Sequence, residues 1–527
     1  MSENEINNRQ QVMQAATIIA VAYALSRFMG LGREIVLSYY FGASTLEVIA
    51  YTYANKIPDF IFNVTVGGAL ASAFIPTFTA YFVRDDEQGA WRLFGAIINL
   101  VLIITVVLSG LTAVFAPQIV ASFITASDLE KYPGLFTLTI TMMRIMLLTP
   151  IIFGVSGVFM AALNARQHFL APALAASMYN LGIILGMIVF APNPMGLAWG
   201  TVLGAAGHLV IQLPALRGRQ ARYTAVLSLQ DAGVRQVLRL MGPRVLGLSF
   251  SYLNPIVTAY LSRPLIAASI VALERAFKIT LMPYSILGQA IGVAAFPTLS
   301  TLAAAEKWGE MRRIIAASLR SILFLGTPIA LVLMILRRPL VQILFERGEF
   351  SPQDTEAVSW ALLFYGAALL ALAAIEVIAR SFYAMGDTKT PVIAGMLQLP
   401  FMAILGSFFA YVIFPLWGQL PLGGIALGYT ISNVVEVIVL LWLLRQRIGG
   451  LNGYELLDAS WRIGTAAFFM AVVMVALLWF LGETAVLLQL SITAGLGGLV
   501  YGLACYLLKI EELERLMAFA LSKLRRN

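Results

Sequence analysis

This 527-residue sequence predicts an all-α polytopic membrane protein of about 14 transmembrane helices. Two parallel six-helix repeats account for twelve of them, and two more follow at the C-terminus. Three observations carry the prediction. Apolar residues make up 60% of the chain and charged residues 12%, against about 45–50% and 25% in soluble domains. The excess recurs as blocks of roughly 20 apolar residues, each long enough to cross a ~30 Å hydrocarbon core as a helix. Short motifs also return at a nearly constant offset. The short alternating segments of a transmembrane β-barrel do not occur.

The candidate spans start near Gln11, Glu47, Phe94, Leu135, Phe169, Met195, Val237, Ala267, Ile314, Ala357, Pro391, Pro421, Trp461 and Thr484. The opening MSENEINNRQQ is polar, and the apolar run after it lacks a small-residue cleavage signature, so it reads as the first span and not as a signal peptide. The bias of Lys and Arg in short loops sets orientation. One set of loops carries Arg84 and Arg92; Arg166; Arg217, Arg219 and Arg222; Lys307, Arg312 and Arg313; Arg380 and Lys389; and Arg445 and Arg447. The opposite loops, such as APNPMG, PLWGQLPLG and LGET, are poor in them. RRPLVQILFERGEFSPQD at 337–354 opposes the rule locally with Arg337, Arg338 and Arg347. Both termini are therefore expected on the cytoplasmic side.

The tail from Lys509 places Ile510, Leu513, Met517, Ala520 and Leu524 on one helical face. With Lys523, Arg525 and Arg526 it is expected to lie on the anionic inner leaflet. Loops and tail account for the net charge of +8, and no soluble basic domain suggests nucleic acid as a partner. The single Cys505 excludes an intramolecular disulfide, and the two histidines, His168 and His208, are too few for a zinc site. HExxH, P-loop and GxSxG motifs are absent from the sequence.

The repeat is visible in three pairs. FIPTF around Pro76 is echoed by AFPTLS around Pro297, 221 positions on. LSRFMGLG around Arg27 is echoed by GPRVLGLS around Arg244 after 217, and NARQHFLAP ending at Pro172 by GDTKTP ending at Pro391 after 219. Six spans separate the members of each pair, an even number that keeps orientation, so the repeats run parallel about an axis along the membrane normal. The expected lobes are residues 1–220 and 221–450, followed by two extra helices and the amphipathic tail at 451–527. Such a layout puts a substrate site between lobes near the midplane, worked by rocking.

Ionisable residues inside spans are functional candidates, because each costs a few kcal/mol near the bilayer centre. The first half offers Arg27, Arg33, Glu34, Glu47, Lys56, Asp59 and Arg144; the second offers Arg244, Glu274, Arg275, Lys278, Glu376 and Glu436. Lys56 and Lys278 are 222 positions apart, in line with the repeat. Each precedes a proline, Pro58 in KIPDF and Pro283 in KITLMP, which predicts a broken helix of the kind that lines a cavity. Other roles stay open for the rest. Arg33 and Glu34 can snorkel or pair at the end of the first helix, Arg244 can sit at the inner surface, and Arg144 can pair with a neighbour. Glu376, Glu436, Asn433 and Asn254 can satisfy helix packing or ligate a monovalent cation. A cationic cavity suits an anionic ligand; Arg matches phosphate oxygens bidentately and Lys supplies a point charge, so a pyrophosphate is one fitting group.

SRFMGLGRE, FGAS, AYTYANKIPDFIFN and GGALASAFIPTF together resemble the opening of the MurJ/MviN family. MGPRVLGLS, ALERAFKITLMP, ILGQAIGVAAFPTLS, YAMGDTKTP and LFERGEFSPQD extend the resemblance over nearly the whole chain. That family comprises lipid II flippases of the multidrug/oligosaccharidyl-lipid/polysaccharide exporter superfamily. The resemblance implies a multi-pass protein of the bacterial inner membrane and no enzymatic activity. It implies movement of undecaprenyl-pyrophosphate-linked disaccharide-pentapeptide to the periplasmic leaflet by alternating access, with a groove for the polyprenyl tail on the last two helices. Expected partners are the lipid-linked glycan precursor and membrane lipids. The chain is expected to act as a monomer, alone or with cell-wall synthesis proteins, and without a resident cofactor.

Carried over by motif, Arg27 and Arg33 match two family arginines of the first helix, and Lys278 stands where the family usually has arginine. The substrate-binding candidates are then Arg27, Arg33, Lys56, Arg275 and Lys278. Glu34, Asp59, Asn63, Arg244 and Glu274 are expected to support them, and Asn254, Asn433 and Glu436 form a candidate cation set. The sequence departs from the family where a pattern like RRxxxEGA is replaced by FNVTVGGA, with Phe62, Asn63 and Gly67 at the charged positions; Lys56 or Arg275 is the expected compensation. A cation-coupled multidrug exporter of the same superfamily is the competing reading, and it predicts an acidic cavity. An enzyme acting on polyprenyl phosphates would need a metal motif, but the DDE at 85–87 reads as a solvated turn. A scaffold role has no extra domain to support it. Coupling is expected to come from a monovalent cation or from the membrane potential, which supplies about 2.3 kcal/mol per charge per 100 mV.

Overall fold

The computed structural model describes residues 25–66, 69–217, 223–482 and 484–524. Gln11, Gly67, Arg219, Arg222, Arg525 and Arg526 lie outside these. Among the described residues the regular structure is helical throughout and no strand forms. Twelve helices are long and apolar enough to cross a membrane. The helix described over 25–41 and the more charged Ala232–Leu261 complete the expected set of about 14.

Two compact units divide the chain. The first holds residues 1–271 with the short segment Arg347–Phe350, whose Glu349 N–H donates to the Tyr39 carbonyl at 3.0 Å. Its helices are α1 (25–41), α2 (Leu46–Thr65), α3 (Ala69–Val83), α4 (Glu87–Val114), α5 (Ala116–Phe123), α6 (Ala126–Lys131), α7 (Leu135–Met146), α8 (Leu148–Ala165), α9 (Leu170–Phe190), α10 (Met195–Val210), α11 (Leu213–Arg217) and α12 (Ala232–Leu261). Helix α12 packs on α2, α3 and α4. The core of this unit runs through Phe74, Phe78, Trp91, Phe94 and Ile97, all almost fully buried.

The second unit holds α13 (Ala268–Ala304) from Ala272 onward, then α14 (Trp308–Ile335), α15 (Arg337–Phe345), α16 (Pro352–Ala384) and α17 (Lys389–Phe408). A π-turn at Phe409–Ile413 leads into α18 (Phe414–Leu416), followed by α19 (Leu422–Ile448), α20 (Gly453–Leu481), α21 (Val486–Leu507) and α22 (Glu511–Leu524).

The repeat recurs in the lengths of the elements. The spans Leu46–Val83 and Ala268–Ala304 have 38 and 37 residues, and Glu87–Val114 and Trp308–Ile335 have 28 each. The short α5 and α15 follow at the same offset of 221. Helix starts are written locally. Asp86 closes α4 by accepting from the Gly89 N–H at 2.8 Å, so the DDE stretch is a capped turn. Ser351 and Asp354 form a capping box ahead of α16, with Pro352 at its first position.

Two sequence expectations are corrected here. Pro58 and Pro283 do not break their helices: α2 and α13 run through them. A proline removes one N–H from the ladder, and the neighbouring turns and packed helices hold the axis across the gap. Arg380 does not lie in an inner loop but on α16, four residues after Glu376, with which it pairs.

Close helix contacts depend on glycine. Gly182 and Gly186 of α9 face Gly196, Gly200 and Gly204 of α10, so a Cβ on Gly186 would stand 2.3 Å from the Gly200 Cα. The second unit repeats the device, with Gly424 and Gly428 of α19 against Ala410 and Gly406. Without a hydrophobic force between helices in lipid, this backbone approach supplies much of the association energy. On α20, exposed Trp461 and Trp479 are separated by about 27 Å of helix rise, which matches interfacial anchors at the two edges of a bilayer core. In α22 the anticipated apolar face divides: Ile510 is buried and Leu513 packs on the core, while Met517 is exposed.

Overpacking at the α9–α10 seam should cost about 1–3 kcal/mol. Gly186→Val is therefore expected to lower the thermal midpoint of the purified protein by several degrees, whereas Gly110→Ala, where a Cβ meets no atom within 4 Å, should not. A tryptophan-fluorescence melt distinguishes the two.

Candidate functional site

Each unit carries its own set of intramembrane charges. In the first, Arg27 is exposed on α1, and the carbonyl of its neighbour Ser26 accepts from Asn180 Nδ2 at 3.4 Å. One turn and a half further on, Arg33 Nη2 lies 2.7 Å from Glu34 Oε1, with the two side chains 20% and 8% exposed. Of the roles left open for this pair, the structure displays the mutual one. The reason is physical: a carboxylate that loses water needs a charged, hydrogen-bonding partner.

Around the pair stand groups from three further helices. Tyr51 on α2, Asp59 on α2 and Tyr179 on α9 lie within electrostatic reach of Arg33, Glu34 or each other. The Tyr51 hydroxyl reaches Thr201 on α10 at 3.3 Å. Asp59 Oδ2 accepts from Asn55 Nδ2 at 2.5 Å, and the Asp59 carbonyl accepts from Asn63 Nδ2 at 2.8 Å. Lys56 sits on the same helix and is 6% exposed. The structure thus gathers Arg33, Glu34 and Asp59 into one neighbourhood and keeps Lys56 and Asn63 on the helix beside it. Tyr51, Tyr179 and Thr201 were not anticipated. A tyrosine within an apolar helix gives no sign in one sequence of which neighbour it meets.

The second unit places Glu274, Arg275 and Lys278 on one stretch of α13. Lys278 Nζ lies 3.9 Å from Glu274 Oε2, both partly exposed. Arg275 is 2% exposed, and its guanidinium stands 5.8 Å from the centre of the Phe345 ring. Elsewhere in the unit, Arg380 Nε and Nη2 hold Glu376 Oε1 at 3.0 and 2.5 Å, while the Tyr284 hydroxyl donates to Glu376 Oε2 at 3.2 Å. Glu376 is accordingly a paired packing group.

Among the candidate cation ligands, Asn433 is buried and donates to the Tyr429 carbonyl at 2.8 Å, and Glu436 lies half-buried one turn later on α19. Asn254 belongs to the first unit, where its Oδ1 is buried without a hydrogen-bond partner. Arg244 lies on α12, and its side chain is outside the described set. Arg144 donates to the Ala113 carbonyl at 3.2 Å, near the end of α4, and so serves that helix terminus. No group of three metal-binding side chains occurs among the described residues. A cavity of about 320 Å³ in the first unit, lined by Phe94, Ile98, Val155, Phe159, Leu213, Leu216, Arg217 and Tyr223, contains none of the candidate cations.

What these arrangements can do follows from charge. Arg33 lies 2.7 Å from Glu34, whereas the Lys278–Glu274 contact is longer, at 3.9 Å. Removing one member of the tight pair has a cost. Arg33→Met takes the guanidinium away from the Glu34 carboxylate and should destabilise by about 3 kcal/mol, the low end for buried pairs because Arg33 keeps some exposure. The double change Arg33→Met with Glu34→Leu should recover most of that loss in a denaturation experiment.

Comparison with known proteins now adds identity. The profile of the family described as "Lipid II flippase MurJ" matches residues 37–494. A "Probable lipid II flippase MurJ" from Vibrio cholerae is 28% identical over 524 residues, covering 95% of this chain and 96% of that protein. One from Bdellovibrio bacteriovorus is 27% identical over 517 residues and covers 97% of both. The solved "Lipid II flippase MurJ, inward closed conformation" shares the fold with a TM-score of 0.76 at 22% identity, over 93% of this chain and 98% of that one. With its match to the family profile spanning most of its length, this multi-pass membrane chain belongs to the MurJ family of lipid II flippases.

Proposed function

We propose that this chain moves undecaprenyl-pyrophosphate-linked peptidoglycan precursor (lipid II) from the cytoplasmic to the periplasmic leaflet of the bacterial inner membrane. The observation that carries the reading is membership in the flippase family over residues 37–494. The repeat-related cations Lys56 and Lys278, buried in one unit and partly exposed in the other, give it chemistry. A pyrophosphate headgroup carries charge that hydrocarbon rejects, and fixed cations replace part of its lost hydration.

In this reading Arg27, Arg33, Lys56, Arg275 and Lys278 contact the pyrophosphate over the cycle. Glu34, Asp59, Asn63, Arg244 and Glu274 hold them in place. The lobes 1–220 and 221–450 alternate access, and 451–527 supplies the surface for the polyprenyl tail. Both termini face the cytoplasm. The protein works as a monomer in the company of cell-wall synthesis proteins. The return of the empty carrier is biased by the membrane potential acting on its cations, or by a monovalent cation held by oxygens of Asn254, Asn433 or Glu436.

The test is rescue of a bacterium depleted of its own lipid II flippase. The wild-type chain should restore growth. Lys278→Ala and Arg27→Ala should each cut flipping by about tenfold or more, the worth of a charge-assisted hydrogen bond of about 1.5–3 kcal/mol. Rescue that survives both changes in well-expressed variants removes the assigned residues, and failure of a properly inserted wild type removes the cargo.

A further inference from the structure

Helical Ser and Thr hydroxyls in this chain mostly turn back onto their own helix. Thr105 donates to the Val101 carbonyl, Thr139 to Leu135, Thr201 to Leu197 and Ser381 to Val377, all at 2.7–2.9 Å. Ser156 on α8 does otherwise. Its Oγ lies 2.6 Å from Nδ1 of His208 on α10 and accepts at 2.8 Å from Nε2 of Gln212, in the turn after α10. The same Nε2 donates to the His208 carbonyl at 2.8 Å. Ser156 and Gln212 are wholly buried, and His208 is half-buried.

The contacts fit a neutral ring in one arrangement, with Gln212 Nε2 also 3.4 Å from His208 Nδ1. One amide hydrogen of Gln212 is taken by a carbonyl, which can only accept, and the other goes to Ser156 Oγ. In that arrangement the hydroxyl hydrogen goes to His208, Nδ1 accepts, and the neutral ring carries its proton on Nε2. The cluster also accommodates the charged ring. With a proton on Nδ1, Ser156 Oγ becomes the acceptor, and the hydroxyl hydrogen turns back to the carbonyl of Ile152, as its counterparts on other helices do. Gln212 Oε1, buried with no partner, is a second acceptor available through rotation of the amide.

We propose that His208 is a proton-binding site of the first unit, loaded and emptied during the transport cycle, with Ser156 and Gln212 as its positioning residues. The ligand is the proton itself, taken from water by the neutral imidazole and returned to water from the imidazolium. The link to cargo rests on the flippase reading and runs through one aromatic ring. Phe153 stands 5.1 Å from both His208 and Tyr179, and Tyr179 lies in the neighbourhood of Arg33, Glu34 and Asp59. A proton on His208 adds positive charge one aromatic ring away from Tyr179. The elements packed on α10 offer Tyr179 from α9, Arg144 from α7 and Arg217 from α11; α8 carries no titratable side chain, and α2 reaches α10 through Tyr51. Arg144 is engaged at the Ala113 carbonyl.

The chain has only two histidines, so a His168→Gln background leaves one ring to observe. Full-length protein with isotope-labelled histidine in lipid nanodiscs should show the Nε2–H tautomer near neutrality and imidazolium across an acidic titration range. Ser156→Ala should lose the tautomer preference. In proteoliposomes, wild-type flipping of lipid II should change several-fold across the same range, and His208→Gln should flip at a rate that no longer follows pH. A ring that stays neutral throughout overturns the proposal, as does an unchanged pH profile in His208→Gln. A folded wild type that flips no lipid II overturns the flippase reading instead, and the ring titration still decides the proton site.

Discussion

Arg33 and Glu34 meet at 2.7 Å inside a chain whose helices are otherwise built for hydrocarbon. A carboxylate in that medium has no water to turn to, and each unit answers the same constraint with paired groups. Glu376 takes Arg380 and Tyr284; Asp59 takes Asn55; Lys278 stands near Glu274. These pairs differ in how closely their groups approach. Distance marks the difference: Arg380 Nε and Nη2 both donate to Glu376 Oε1 at 3.0 and 2.5 Å, whereas the Lys278–Glu274 contact is 3.9 Å.

The repeat supplies the scaffold on which those charges are placed twice. The spans Leu46–Val83 and Ala268–Ala304 carry Lys56 and Lys278, and short helices follow at the same offset in both halves. Glycine seams hold neighbouring helices at backbone contact, so the positions of side chains on them are set by van der Waals fit and not by side-chain adjustment. A charge placed on such a helix keeps its position at a defined cost. That rigidity suits a carrier whose states differ by how helices move as bodies.

Much of this was legible in the sequence, and for identifiable reasons. Span length and apolar composition report directly on hydrocarbon thickness, so the helices fall where the apolar blocks do. The repeat survives because its offsets preserve motif spacing. What stayed hidden were partners across helices. Nothing in a single sequence says that Tyr179 meets the Arg33 neighbourhood, or that Ser156, His208 and Gln212 converge, because hydropathy defines a helix without its rotation against the next. Prolines misled for a related reason. Pro58 and Pro283 each remove one donor, which reads as a break, but packing carries the helix through. Arg380 read as a loop residue because the positive-inside rule assigns basic residues to loops, and its i+4 relation to Glu376 was the signal that placed it on a helix.

Equilibrium binding of headgroup variants tests the central claim most directly, that the repeat-related intramembrane cations serve an anionic lipid. The full chain in nanodiscs is titrated with undecaprenyl-pyrophosphate-linked precursor and with undecaprenol, which lacks phosphate. The account predicts a preference for the pyrophosphate lipid of about tenfold or more, from one or more charge-assisted contacts, and its loss in a Lys56→Gln, Lys278→Gln double variant. Equal affinity for the two lipids, or a preference unchanged in that variant, would contradict it.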